Sequence, residues 1–264
     1  MQPTRLRIGL TAVILADQAA FLARWADYLG AHLDHPVSFV ARDEYQPIVD
    51  GLFSGELDAA WLCGYPYVRF QSRLRLVAVP LYKGQPYYQS YLIRAAATSQ
   101  PLSGWADLRG KVFAYSDPLS NSGWLVAQGE LASAGLTQKD LQRTFFAHGH
   151  RNVAEAVAAR LAQGGSIDGY VWETMRLQGM SAATKTEVVW KSKPHGFPPI
   201  VAAINADPAK IEALQRALMA MHQNPAGRNL LQALNLDSFI AGEPGIFESI
   251  RQLARSVPGS GVLG

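Results

Sequence analysis

Apolar positions along this chain recur with two different periods. Leu6 to Val13 is an apolar-rich stretch of strand length, and behind it Phe21, Leu22, Trp25, Leu29 and Leu33 return at helical spacing, with Arg24, Asp27 and His32 between them. A strand followed by an amphipathic helix is the reading. The alternation continues with a strand at Val37 to Ala41, a helix at Asp43 to Phe53 that holds Pro47 in its first turn, and a strand at Leu57 to Leu62. Leu74 to Leu81 and Tyr91 to Ala95 read as strands on either side of the turn Lys83-Gly84-Gln85-Pro86.

The second half repeats the pattern. It predicts strands at Val112 to Ala114, Thr144 to Ala147, Ile167 to Val171, Glu187 to Trp190 and Ile200 to Ile204, with helices at Trp124 to Ala134 and Asn152 to Gln163. From Asp207-Pro208 onward the chain is helical, with Ile211, Leu214, Leu218 and Met221 on one face, then short helices at Gly227 to Leu234 and Phe247 to Ser256. Strands alternating with helices predict an α/β protein with mainly parallel sheets covered on both faces. Gly55-Glu56-Leu57-Asp58-Ala59-Ala60 has a looser copy in Gly165-Ser166-Ile167-Asp168-Gly169-Tyr170-Val171. The pair fits two lobes of similar build and equally fits two helix-to-strand turns with glycine at the C-cap.

Composition narrows the function. A chain of 264 residues, 48% hydrophobic and 17% charged, has room for two lobes and no sign of disorder. Its net charge of +3 comes from scattered lysines and arginines, so no basic stripe points to nucleic acid. Cys63 is the one cysteine, which excludes an internal disulfide and a cysteine-rich metal site. No apolar stretch approaches the roughly 20 residues needed to cross a bilayer, and Ile8 to Ala16 meets Asp17 too soon to act as an export signal. A Gly-x-Ser-x-Gly elbow, a Walker A sequence and a His-Glu-x-x-His helix are all missing.

The stretch with the most chemistry is Ser116-Asp117-Pro118-Leu119-Ser120-Asn121-Ser122-Gly123-Trp124, where a strand ends and a helix begins. A helix start presents backbone N–H groups without internal acceptors, and its dipole favours an anion. Ser120, Asn121 and Ser122 add side-chain donors there, and Gly123 leaves room for an oxyanion to approach the backbone. Simple N-capping by Ser120 or Ser122 accounts for the same residues.

Ser120-Asn121-Ser122-Gly123 after a strand and an Asp-Pro turn resembles the Ser-Thr-Ser-Gly signature of the phosphate, phosphite and phosphonate-binding proteins that serve ABC importers, with Asn121 in place of Thr. The likeness extends from about Leu6 to about Ala220. It implies a two-lobed periplasmic-binding-protein-like fold of type II, with the ligand in a cleft between lobes: residues 1–92 plus 200–264 form lobe 1 and 93–199 lobe 2. It further implies that the cluster grips a phosphorus oxyanion, that Tyr88 in Tyr88-Gln89-Ser90 and His150 add hydrogen bonds, and that Tyr45 and Glu173 fall at ligand-facing positions. His148 competes with His150, and Tyr170 with Glu173. Where family members that hold an aminoalkyl phosphonate carry an Asp, this chain reads His195-Gly196-Phe197-Pro198-Pro199, which argues against an ammonium-bearing ligand.

The expected role is thus a solute-binding protein, not an enzyme, working outside the cytoplasm without cofactor or metal. It would close about a hinge and dock on ABC permease subunits, touching the membrane only through them. Two alternatives stay open: a cytoplasmic enzyme on the same fold acting on a small anionic metabolite, and a ligand-sensing module for a signalling partner.

Overall fold

The computed structural model describes residues 5–11, 19–33, 35–96 and 102–261. The chain begins with β1 (Leu6–Leu10), α1 (Ala19–Leu33), β2 (Val37–Ala41), α2 (Tyr45–Ser54), β3 (Ala59–Trp61), α3 (Gly64–Arg69) and β4 (Leu74–Leu81). It continues through β5 (Tyr87–Tyr88), β6 (Ser90–Ala95), β7 (Val112–Tyr115), α4 (Val126–Ser133), β8 (Arg143–Phe146), α5 (His150–Ala158) and β9 (Gly164–Asp168). Then follow α6 (Gly169–Leu177), α7 (Ser181–Thr184), β10 (Thr186–Lys191), β11 (His195–Gly196) and β12 (Ile200–Ala203). It ends with α8 (Pro208–Ala220), α9 (Pro225–Ala233), β13 (Ser238–Ile240) and α10 (Glu248–Ser256). Residues 1–87 with 196–248 form one compact unit, and 88–195 with 249–264 the other.

The first unit is built on a six-stranded sheet ordered β13-β4-β12-β3-β1-β2. Its strands β1, β2 and β3 are parallel, and β12 inserts antiparallel between β3 and β4. The second unit has a five-stranded sheet, β10-β6-β9-β7-β8, in which β7, β8 and β9 are parallel and β6 lies antiparallel to both β9 and β10. The sheets are therefore mixed, where the sequence pattern predicts mainly parallel ones. In each, the strand that follows the chain's passage from the other unit, β12 or β6, enters the parallel set running the opposite way, and in the first unit β13 adds a second antiparallel strand beside β4.

The unit boundaries differ from the sequence expectation by a few residues at two places and by a whole helix at the third. α10 and the segment after it group with 88–195, not with the first unit. Gly129 shows why. A Cβ there would lie 2.7 Å from the Leu253 side chain, so α10 is seated directly on α4. The sequence pattern also carries the strand at Ile167 on to Val171, whereas β9 stops at Asp168 and α6 begins at Gly169. Asp168 ends the strand because its carboxylate accepts the Val171 N–H at 3.2 Å, as an N-cap residue does.

In the first unit the core is organised around Trp61 on β3, 1% exposed. Its indole N–H donates to the Pro198 carbonyl at 2.9 Å. Its ring meets Trp25 at 5.9 Å and Phe239 at 6.0 Å, both edge-on. The second unit packs Leu92, Trp105, Phe113, Tyr115, Ala127 and Leu131 beneath its sheet, with Trp124 against the same cluster. Trp61→Ala is expected to cost about 3–5 kcal/mol in urea-induced unfolding, and Trp61→Phe about 1–3 kcal/mol, since the latter keeps an aromatic ring but leaves the Pro198 carbonyl without its donor.

Candidate functional site

Where β7 ends, Asp117 accepts the Leu119 N–H at 2.7 Å and turns the chain. The Ser120 hydroxyl then accepts the Gly123 N–H at 2.9 Å, an N-cap bond. What opens there is not an α-turn but a single π-turn, Asn121–Leu125, that runs into α4. Ser120 O accepts from both Trp124 N, at 3.2 Å, and Leu125 N, at 3.0 Å. One-turn π-bulges of this kind concentrate at functional sites.

The turn is pinned by its middle residue. The Ser122 carbonyl accepts the hydroxyls of Ser90 on β6, at 2.7 Å, and of Ser166 on β9, at 2.5 Å. With its carbonyl doubly held, the other polar groups of Ser122 are left over. Its hydroxyl is buried and has no partner among the described residues, and neither has the Ser116 hydroxyl beneath it. Orphaned polar atoms in a native interior call for an explanation, and a missing ligand is one.

Gly123 works differently from the sequence expectation. A Cβ on it would lie 1.7 Å from Ser116 Oγ and 2.6 Å from Ser116 Cβ, so the space beside it is filled by protein. Its N–H is likewise committed to Ser120. Glycine is required here for the close approach of the turn to the strand end, not to admit an anion.

Tyr88, expected from sequence, is brought to the cluster: its phenol oxygen accepts the Asn121 side-chain N–H at 2.9 Å, and both residues are buried. The amide that stands where a Thr hydroxyl is usual therefore positions the tyrosine. His150 is brought to the same strand ends and His148 is not; His148 is exposed at φ 54°, while His150 is fully buried at the start of α5. Its Nδ1 accepts the Asp168 N–H at 3.2 Å. Nδ1 is thus the unprotonated nitrogen and Nε2 carries the hydrogen. Burial holds its pKa down at about 3, so the ring is neutral.

Glu173 sits half-buried on α6, not on a loop, and accepts a hydrogen bond from the Tyr91 hydroxyl. Tyr45 belongs to the other unit, fully buried in the first turn of α2. Phe197 is also in that unit, buried and tilted against Tyr82 at 6.0 Å. Sequence reasoning missed Ser90, Ser116, Ser166 and Asp168. None of these carries a local signal: Ser90 opens a strand that also holds Tyr91 and Arg94, and Ser166 lies in the Gly-Gly-Ser-Ile-Asp of β9. Among the described residues no group of three or more His, Cys, Asp or Glu is arranged to hold a metal.

A model of the family described as ABC transporter, phosphonate, periplasmic substrate-binding protein matches residues 9–244. The phosphate-import protein PhnD of Mycolicibacterium smegmatis is 31% identical over 169 residues, which is 59% of this chain and 52% of that protein. The chain thus aligns with about half the length of this curated relative. Among solved structures, a binding-protein component of an ABC phosphonate transporter from Pseudomonas aeruginosa superimposes with a TM-score of 0.87 at 20% identity, covering 98% of this chain and 88% of the other. PhnD1 of Prochlorococcus marinus in complex with methylphosphonate gives 0.84 at 18%, covering 97% and 98%. Both share the two-lobed α/β fold described above.

Two predictions come from the packing and charge of the site. Gly123→Ala is expected to destabilise the protein by about 1–3 kcal/mol in urea unfolding, as overpacking does; adding Ser116→Gly, which removes the obstructing side chain, restores most of it. The second concerns pH. Burial depresses the pKa of His150 to about 3 and of His195 to about 4, so between these values and 6.5 the unfolded chain binds protons that the folded chain refuses. Stability therefore falls on acidification from pH 6.5 to 4.5, at about 1.4 kcal/mol per pH unit for each such proton. Burial raises Asp168 to about 7, which opposes the trend because there the folded state holds the extra proton. Asp168→Asn removes that opposition, and its unfolding midpoint should drop more steeply with acid than that of the parent.

Proposed function

This chain belongs to the phosphonate-binding family of periplasmic substrate-binding proteins of ABC transporters, and on that premise we propose that its Ser120–Ser122 turn captures a phosphorus oxyanion for import. The observation that carries the proposal is the buried, unpartnered Ser122 hydroxyl at the head of a helix whose carbonyl side is already fixed. The Ser120 hydroxyl accepts from Gly123 with a lone pair, so its own hydrogen remains to donate. The Tyr88 phenol is held beside the turn by the Asn121 amide, which donates to its oxygen. Neutral hydroxyl donors at a helix start suit an oxyanion with several acceptor oxygens, and the buried Tyr88 and His150 lie on neighbouring elements of the same unit.

Phosphonate, phosphite and phosphate all fit this chemistry, and methylphosphonate is the ligand of one structural relative. A transport role places the protein outside the cytoplasm, handing its ligand to a permease in the membrane. Among the described residues no helix is long and apolar enough to cross a membrane.

The test is calorimetric titration with phosphate, phosphite, methylphosphonate and sulfate, with Trp124 fluorescence as a second readout. At least one phosphorus oxyanion should bind. Ser122→Ala should weaken that binding about tenfold or more, taking roughly 1.5 kcal/mol for a charge-assisted hydrogen bond, and leave the unfolding free energy unchanged, since the hydroxyl has no partner in the folded chain. Ser120→Ala should lose both affinity and about 1 kcal/mol of stability, because it also removes a cap. Unaltered affinity in both variants would overturn the assignment.

A further inference from the structure

One buried ionisable group lies in this region with no part in the capture just described. Asp168 is fully buried at the junction of β9 and α6. Its Oδ1 caps α6 through Val171 N–H, while its Oδ2 has no partner among the described residues. Among those residues no lysine or arginine pairs with it, although an isolated buried carboxylate is one of the costlier groups a fold can hold.

Its position follows from the strands. Ser166 and Asp168 are two residues apart on β9, so their side chains leave the sheet on the same face. Ser166 uses that face to reach the Ser122 carbonyl. The Asp168 backbone N–H meets His150 Nδ1 at 3.2 Å. Asp168 also pairs across the sheet with Ser90, whose hydroxyl reaches the same Ser122 carbonyl. Its side chain therefore leaves the sheet on the face that carries the Ser122 turn, and its second oxygen has no partner among the described residues.

We propose that Asp168 determines which protonation state of the ligand is taken: the carboxyl group and the bound phosphorus oxyanion share one hydrogen. This rests on the reading of the site as an oxyanion receptor and adds a rule to it. Either the ligand arrives as a monoanion and its P–OH donates to Oδ2 of the carboxylate, or it arrives as a dianion and the carboxylic acid donates to it. For phosphite and methylphosphonate, whose dianions keep no ionisable hydrogen, both routes give the same complex, one shared hydrogen and two negative charges in all. A carboxylate facing a dianion with no hydrogen between them would put like charges together in a dry site, which is strongly unfavourable.

The groups around Asp168 do not supply that hydrogen by other means. They are His150 on α5, Tyr91 on β6, and Tyr170 and Glu173 on α6. His150 is neutral and already spends its Nδ1 on the Asp168 backbone. Both tyrosines are held above their ordinary range by burial, with the Asp168 charge adding to the rise, and stay as phenols. Burial likewise lifts Asp168 itself to about 7, against the pull of the Val171 and Tyr170 N–H groups, so proton exchange with the ligand falls near neutrality.

The experiment is calorimetry from pH 6 to 9 with phosphate, phosphite and methylphosphonate, each in two buffers of different ionisation enthalpy so that protons taken up are counted. The parent protein should take up one proton per phosphite or methylphosphonate at pH 8.5, with an affinity for these two that falls about tenfold per pH unit above 8, whereas phosphate, whose dianion keeps a P–OH, serves as the comparison. Asp168→Asn keeps an N-capping side chain at the head of α6, since Asn caps as well as Asp, and offers the anion a permanent N–H donor. It should take up no proton, lose the pH slope and bind at pH 9 more tightly than the parent. Equal proton uptake in parent and variant, or a parent affinity that is flat from pH 7 to 9, overturns the role of Asp168 while leaving the receptor reading intact. Failure of the parent to bind any of the three anions at any pH overturns the receptor reading and this rule with it.

Discussion

Two hydroxyls on one carbonyl govern the second unit. Ser90 and Ser166 come from neighbouring strands and both donate to Ser122 O, so the start of a helix is fastened to the middle of a sheet by its acceptor side. Helix starts normally keep their carbonyls for the helix and offer their N–H groups outward. Here the consequence is a turn that cannot rotate away from the strands, with donor groups held in place whether or not anything binds them. Preorganisation of this kind is what makes hydrogen-bond donors effective against charge, because no reorganisation is needed when the anion arrives.

The same economy extends to the neighbours of Ser122. Gly123 lets the turn settle on Ser116, Asn121 fixes the Tyr88 phenol, and the Asp168 backbone fixes the tautomer of His150. Ser122 is held through its carbonyl and His150 through Nδ1, while Ser120 and Tyr88 are held through lone pairs of their hydroxyl oxygens. The proposed selection by geometry and protonation needs no large positive charge, which agrees with a chain whose overall charge is only +3.

Much of this was legible before any coordinates. The alternation of helical and strand periods fixes the α/β class, and the cluster at Ser120–Gly123 stands out because small polar residues collect where a strand stops. What stayed hidden was of two kinds. Strand direction is absent from a hydrophobic pattern, so the antiparallel insertion of β6 and β12 could not be read from it. Long-range pairing is equally invisible: Ser90, Ser122 and Ser166 are 32 and 44 residues apart in the chain, and nothing local marks them as partners. Tyr170 and Val171 are good strand formers and extend the strand pattern past Asp168, yet the Asp168 carboxylate caps a helix that starts at Gly169.

The π-turn at Asn121–Leu125 also bears on how such a site can evolve. Removing one residue from it would restore an ordinary α-turn, and each residue of an α-helix advances about 100° around the axis. Either Ser120 and Ser122 or the buried face of α4 would then point the wrong way. The length of this turn is thus constrained by the packing of α4, independently of which polar side chains the turn carries.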